Sequence, residues 1–100
     1  MDTSETQKIS VYVFSSPTCE PCKVLKPVFN ELKEEYPDFD WIFTDITNDP
    51  KKLKDFFNVS KIPSMVVEQG GSIVTQCQGT VVTQYLSCLR AAFRRLPRLQ

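Results

Sequence analysis

The sequence lacks a net charge and lacks any long apolar run. Twelve Lys and Arg side chains balance twelve Asp and Glu side chains, so no overall electrostatic attraction directs the chain to nucleic acid or to an anionic membrane. No apolar run approaches the roughly 20 residues of a membrane span, and the polar residues 1–8 contain no apolar core of signal-peptide length. We therefore expect a cytoplasmic protein that binds neither nucleic acid nor membranes.

Internal repeats, low-complexity segments and linkers are also absent from the sequence. The length of 100 residues is that of one ordinary globular domain with one core. We predict a mobile N-terminus at residues 1–8, a single domain at residues 9–96 and a short tail at residues 97–100, and we expect a monomer.

Cysteine, by contrast, is well represented, with four residues in a short chain. Such a count is typical of secreted disulfide scaffolds, but a chain without a signal peptide and with ample Leu, Ile, Val and Phe does not fit that class. In a reducing compartment, paired cysteines are more often catalytic or metal-binding. Composition alone leaves both alternatives open, because both use thiolates.

The hydrophobic pattern predicts the element order β-α-β-α-β-β-α, an α/β fold. The first two strands read as buried and, with the helix between them, form a parallel βαβ unit; Trp41 and Phe43 on the second strand are expected in the core. The final helix is expected to bury Val82, Leu86, Leu89 and Phe93. The predicted strands cover residues 9–14, 41–46, 64–68 and 72–78, and the first helix covers residues 23–36. A short helix is expected to open at Asn48-Asp49-Pro50 and to run through Phe57, and the last helix is expected to begin near residues 80–83.

Cys19 and Cys22 lie where the first strand feeds the first helix. Free amides and the helix dipole at a helix N-terminus stabilise an anionic sulfur, so Cys19 is the candidate nucleophile. Cys22, further into the helix, is expected to be more shielded and to act as the resolving thiol. Pro21 limits the flexibility of the pair, and the charge of Glu20 opposes thiolate formation.

Alternative interpretations of the cysteines remain open at this point. A C-x-x-C pair is also half of a zinc site, although its position at a strand–helix junction favours redox chemistry, and we expect no bound metal. Cys77 and Cys88 fall on a predicted strand and a predicted helix, which is not the usual geometry of a zinc knuckle. We expect each to be a small buried hydrophobe, with regulatory oxidation or a bond between the two as alternatives. Lys23 is expected to be a solvated helix residue.

A second signal is Pro63, which precedes an apolar strand. Proline cannot donate in a β-ladder, so Pro63 is expected to start the strand. Taken alone, Ile62-Pro63 predicts an ordinary trans bond. Only the combination of Pro63 with the upstream cysteine pair favours a cis bond.

With these motifs together, residues 9–93 resemble the thioredoxin family. The resemblance implies an α/β thioredoxin fold, with a four-stranded mixed sheet flanked by helices. It implies an enzyme that reduces protein disulfides by dithiol–disulfide exchange at the redox-active Cys19–Cys22 pair, with no other cofactor. It implies a cis Ile62–Pro63 bond beside that disulfide. It also implies disulfide-containing protein substrates and an electron donor that is a thioredoxin reductase-type enzyme or glutathione. The implied substrate-contacting residues are Thr18, Glu20, Pro21, Ile62 and Pro63.

The sequence departs from typical thioredoxins at several positions. Thr18 replaces a tryptophan, Glu20 replaces a glycine, and Val13 takes the place of the buried aspartate that assists proton transfer at the resolving cysteine. The family's first strand and helix are missing, as in glutaredoxins and other small thioredoxin-like proteins. A glutathione-dependent, glutaredoxin-like reductase and a non-catalytic metal-binding or interaction module are therefore the alternative functions.

Overall fold

The structure is a computed structural model that describes residues 8–94. Most of the predicted mobile N-terminus and all of the predicted tail at residues 97–100 lie outside this range. Within the described range, no helix combines the length and apolar character needed to cross a membrane.

The described residues follow the predicted element order β-α-β-α-β-β-α. The first helix begins close to its predicted position, because Pro21 suits a first helical turn and the apolar residues recur with a helical period. The short helix begins at Leu53 and not at Pro50 as predicted, because Lys52 directly before it adopts a left-handed backbone conformation with a φ of 53°. The elements are β1 (Ile9–Ser15), α1 (Glu20–Glu35), β2 (Asp40–Asp45), α2 (Leu53–Phe56), β3 (Ser64–Gln69), β4 (Ser72–Gln78) and α3 (Val82–Phe93).

The four strands form one mixed sheet in the order β2-β1-β3-β4. β1 runs parallel to β2 and antiparallel to β3, and β4 is antiparallel to β3. A small core of Phe14, Phe57, Val59 and Val66 packs separately from the main core. The main core joins the sheet to α1 and α3 and consists of Ile9, Val11, Val13, Leu25, Phe29, Leu32, Phe39, Met65, Val67, Tyr85, Leu89 and Ala92. The predicted four-stranded mixed sheet flanked by helices is confirmed.

The prediction that the second strand is buried is wrong, because β2 is an edge strand. Trp41 is half-buried against the main core, whereas Phe43, expected in the core, is 45% exposed. The two rings stack with their centroids 6.1 Å apart. An apolar strand sequence does not show whether a second neighbour will cover it.

The buried residues of the last helix also differ from the prediction. Tyr85, Leu89 and Ala92 are fully buried, whereas Phe93 is 52% exposed. Val82 and Leu86 are only partly buried against the main core. The face of α3 that packs against the sheet is therefore rotated relative to the predicted apolar face, and its first fully buried residue is Tyr85.

Strand β4 does not alternate regularly. Val67 pairs with Thr75 and Glu68 pairs with Ile73, so Val74 is an extra residue in a β-bulge. Because the bulge shifts the pleat by one position, Val74 and Cys77 both pack against the main core.

Candidate active site

The loop between β1 and α1 is organised by Ser16. Its hydroxyl accepts a hydrogen bond from the Thr18 amide at 3.2 Å and lies 3.1 Å from the Thr18 hydroxyl. The Ser16 carbonyl accepts a bond from the Cys19 amide at 3.2 Å. Ser16 itself is buried. These contacts hold Cys19 at the start of the helix. Ser16 was not among the predicted site residues, although a serine hydroxyl that bonds the backbone two residues on is a recognised local signal of a turn.

Cys19 is the N-cap residue of α1. Its sulfur accepts a hydrogen bond from the Cys22 amide at 3.2 Å, and its carbonyl accepts one from the Lys23 amide at 3.2 Å. One of the free helix amides thus points at the Cys19 sulfur, which favours an anionic sulfur there once the pair is reduced.

The two cysteines of the motif are joined as a disulfide, with their Cα atoms 5.2 Å apart. Cys22 is 5% exposed, whereas Cys19 is half-buried. Cys19 is therefore the sulfur that a large partner reaches more easily, and Cys22 is shielded by the first turn of the helix.

Exposed side chains surround the Cys19 end of the helix. Thr18, Glu20 and Pro21 are all exposed. The Lys23 ammonium lies 3.1 Å from a Glu20 carboxylate oxygen, and both side chains are largely exposed. Such an exposed ion pair contributes little to stability. It does place the positive charge of Lys23 beside the negative charge of Glu20, which was expected to oppose the Cys19 thiolate.

Ile62 and Pro63 lie at the same end of the sheet as Cys19. Ser64 pairs with Phe14 near the end of β1, so Pro63 directly before it faces the start of the cysteine loop. The Ile62–Pro63 peptide bond is cis. The Pro63 ring is buried and Ile62 is half-buried. The Pro63 side chain is therefore packed into the protein beside the cysteine loop and is not exposed.

The carbonyl of Pro63 is held by residues that the sequence analysis did not single out. It accepts a hydrogen bond from the Gly79 amide at 2.9 Å and lies 3.1 Å from the Tyr85 hydroxyl. That hydroxyl is 2.6 Å from the Gly79 carbonyl, so its one proton is shared by two acceptors. The helical spacing of Tyr85, Leu89 and Ala92 was the signal that could have placed Tyr85 in the core.

An open cleft of about 520 Å³ is lined by residues of β1, β2 and α1, among them Cys22. Val13, the residue in place of the family's buried aspartate, lines it and is fully buried. Lys26, Asn30 and Asp45 also line the cleft. Cys22 therefore borders an open cleft whose lining includes both the aliphatic Val13 and polar side chains.

The carboxyl group of Asp45 in this cleft is held by Thr47. The Thr47 hydroxyl and amide donate to the same carboxylate oxygen at 2.6 and 2.9 Å. The bond from the Thr47 hydroxyl, and to a smaller extent the bond from the Thr47 amide, lower the pKa of Asp45 below its usual 3.8. Ionised Asp45 therefore stabilises the folded state. This contribution is fully present above the pKa that Asp45 has in the unfolded chain, and it is lost as the pH falls through the lower pKa of the folded state.

We expect an NMR titration of Asp45 to give a midpoint below 3.8. In Thr47→Val the amide bond remains while the hydroxyl bond is lost, so the midpoint rises toward the usual value. A wild-type midpoint at or above 3.8 contradicts this account of the carboxyl group.

Among residues 8–94, no group of three or more His, Cys, Asp and Glu side chains is placed to hold a metal ion.

Known proteins with similar sequences and structures are thioredoxins. The thioredoxin family model matches residues 2–90. Chloroplastic thioredoxin F2 of Arabidopsis thaliana is 28% identical over 85 residues, which cover 85% of this chain and 46% of that protein. The chain spans about half the length of the curated relatives it matches.

Two solved structures show the same fold. Thioredoxin f from spinach chloroplast, in its long form, has a TM-score of 0.80 at 24% identity, covering 91% of this chain and 75% of that chain. A structure of ferredoxin:thioredoxin reductase in complex with thioredoxin f2 gives a TM-score of 0.81 at 25% identity, covering 91% and 83%. With the family match over most of its length, this chain belongs to the thioredoxin family.

Proposed function

We propose that this protein is a thiol–disulfide oxidoreductase that reduces protein disulfides through Cys19 and Cys22. The observation that carries the proposal is the hydrogen bond from the Cys22 amide to the Cys19 sulfur at 3.2 Å. It places an accessible sulfur on a helix N-cap, next to a buried second sulfur. A nucleophile and a resolving thiol need this arrangement.

In the proposed reaction the reduced pair attacks a substrate disulfide in two steps. The Cys19 thiolate attacks one substrate sulfur, the substrate S–S bond breaks, and a substrate thiolate leaves and takes up a proton. The Cys22 thiol loses its proton and attacks the Cys19 sulfur, which releases the second substrate thiolate. The substrate gains two electrons, and the protein is left with the Cys19–Cys22 disulfide seen in the structure.

The proton of Cys22 needs a path that does not depend on a buried carboxylate, because Val13 stands at that position. We assign this path to water in the cleft beside Cys22, which is open and lined in part by polar side chains. Bulk water is a less well placed acceptor than a fixed base. Resolution of the mixed disulfide is therefore expected to be the slower step near neutral pH and to accelerate as the pH rises.

Substrate recognition is assigned to the surface around Cys19. Thr18, Glu20 and Pro21 are exposed there, and Ile62 makes no hydrogen bond with any residue of the described range 8–94. The backbone of Ile62 is thus free to pair with an extended substrate segment, whereas the Pro63 carbonyl is already occupied.

A reductase of the thioredoxin-reductase type is the proposed electron donor. The support is the solved complex between a ferredoxin:thioredoxin reductase and thioredoxin f2, whose fold this chain shares. Glutathione as the donor, a cytoplasmic location and a monomeric state stay predictions.

The Cys22→Ser variant provides the test of the proposed function. With the resolving thiol removed, a peptide disulfide is expected to remain attached to Cys19 as a stable mixed disulfide in near-stoichiometric yield, identified by peptide mass spectrometry. Cys19→Ser/Cys22→Ser is the matched control and should give no adduct at position 19. An adduct found on Cys77 or Cys88 instead, or none, contradicts the proposal.

A further inference from the structure

Cys77 and Cys88 form a second thiol pair, separate from the motif at Cys19. Cys77 lies on β4 and Cys88 on α3, and both thiols are free and half-buried against the main core. Burial raises the pKa of the Cys77 thiol, and the neighbouring Cys88 sulfur raises it further through its charge and a hydrogen bond between the two side chains. The strand and the helix therefore place the two cysteines near each other against the main core, although they are well separated along the chain.

Cys77 and Cys88 both line one open groove between β4 and α3, with a volume of about 500 Å³. The other residues of this groove are all uncharged and carry amide or hydroxyl groups. A volume of this order is within the range of pockets that hold small organic ligands, and amides and hydroxyls can both donate to and accept from peptide groups. The lining residues besides the two cysteines are Gln76, Gln78, Thr83, Gln84 and Ser87.

We propose that Cys77 and Cys88 are a second redox couple, which a small peptide disulfide of the glutathione disulfide type oxidises to an intramolecular disulfide. Adjacent sulfurs at an accessible groove satisfy the requirement that an entering disulfide be attacked by one thiol and displaced by the other. The proposal does not depend on the chemistry of Cys19 and Cys22.

The reaction is balanced by the small disulfide alone. The thiolate of one cysteine of the pair attacks one sulfur of glutathione disulfide, the S–S bond of glutathione disulfide breaks, and one glutathione leaves as a thiolate that takes up a proton. The other cysteine then loses its proton to water and attacks the sulfur of the first cysteine, displacing the second glutathione. The protein loses two electrons and two protons, and glutathione disulfide becomes two molecules of glutathione.

The test uses the full chain with the first pair replaced, Cys19→Ser/Cys22→Ser. This variant is incubated with glutathione disulfide, quenched with an alkylating reagent and weighed intact. We expect a product that lacks two hydrogen atoms and carries neither an alkyl group nor glutathione. No loss of hydrogen, a product with two bound glutathiones, or a disulfide-linked dimer overturns the proposal.

Two further variants on that background test whether the two thiols act as a pair. Adding Cys77→Ser or Cys88→Ser leaves one thiol, so each variant should end with one glutathione bound at the remaining cysteine and with no intramolecular disulfide. If neither variant binds glutathione, the proposal is overturned, because neither thiol then attacks the small disulfide. Failure of the reductase proposal would leave these results unchanged.

Discussion

Cys19→Ser is expected to lower the rate of protein-disulfide reduction on the order of 1,000-fold or more. The serine hydroxyl can keep the hydrogen bond from the Cys22 amide, but it is not ionised at neutral pH and does not attack a disulfide. The loss should appear in kcat/KM with a model disulfide substrate and a chemical reductant. Compared with the reduced wild type, thermal stability is expected to change little, because Cys19 is only half-buried; compared with the oxidised wild type, the variant also loses the Cys19–Cys22 disulfide.

Cys88→Ser provides the matched control for this loss. It removes another half-buried thiol of a helix, outside the proposed active site, and should retain reductase activity within about twofold, as for substitutions remote from the chemistry. If Cys19→Ser kept wild-type activity while Cys88→Ser lost it, the nucleophile would have been assigned to the wrong pair.

Tyr85→Ala is expected to lower the free energy of unfolding by about 3–5 kcal/mol, the range for removing a buried aromatic side chain. Tyr85 is fully buried, and its ring meets that of Phe29 edge to face with centroids 5.0 Å apart. Its hydroxyl also holds the carbonyls of Pro63 and Gly79. Domains of this size are stable by only about 5–15 kcal/mol, so urea unfolding should show a large loss or an unfolded variant.

Tyr85→Phe separates the two contributions of this side chain. It keeps the ring contact and removes only the hydroxyl, so we expect a loss of about 1–3 kcal/mol, the cost of leaving buried carbonyls without that donor. Val24→Ala, at a position that is 69% exposed on α1, should stay within about 0.5 kcal/mol of wild type. A Tyr85→Ala variant as stable as Val24→Ala would contradict the assigned packing.

The element order could be predicted from the sequence because local patterns carry it. A strand that ends in a loop with Cys19 and Cys22, followed by helical spacing, leaves few alternatives for the first half of the chain. The edge position of β2 was not predictable, since the apolar character of Trp41 and Phe43 is the same in a central strand. The bulge at Val74 and the orientation of α3 depend on pairing with distant residues.

The candidate site was predicted only in part. The spacing of Cys19 and Cys22 predicts their closeness, because two intervening residues in a helical turn bring the sulfurs together. The occupied carbonyl of Pro63 depends on Gly79 and Tyr85, which come later in the chain and meet Pro63 only after the sheet is formed. The same applies to Cys77 and Cys88, whose contact requires both the β4 register and the packing of α3.

The most direct test of the central claim is an equilibrium redox titration of Cys19 and Cys22, read by thiol alkylation and mass spectrometry. Performing it in Cys77→Ser/Cys88→Ser removes any contribution from the second thiol pair. The account predicts one reversible two-electron transition near the roughly −270 mV typical of thioredoxin. Both cysteines should become protected from alkylation together as they are oxidised. No transition at this pair, or one well above about −200 mV, would contradict a protein-disulfide reductase.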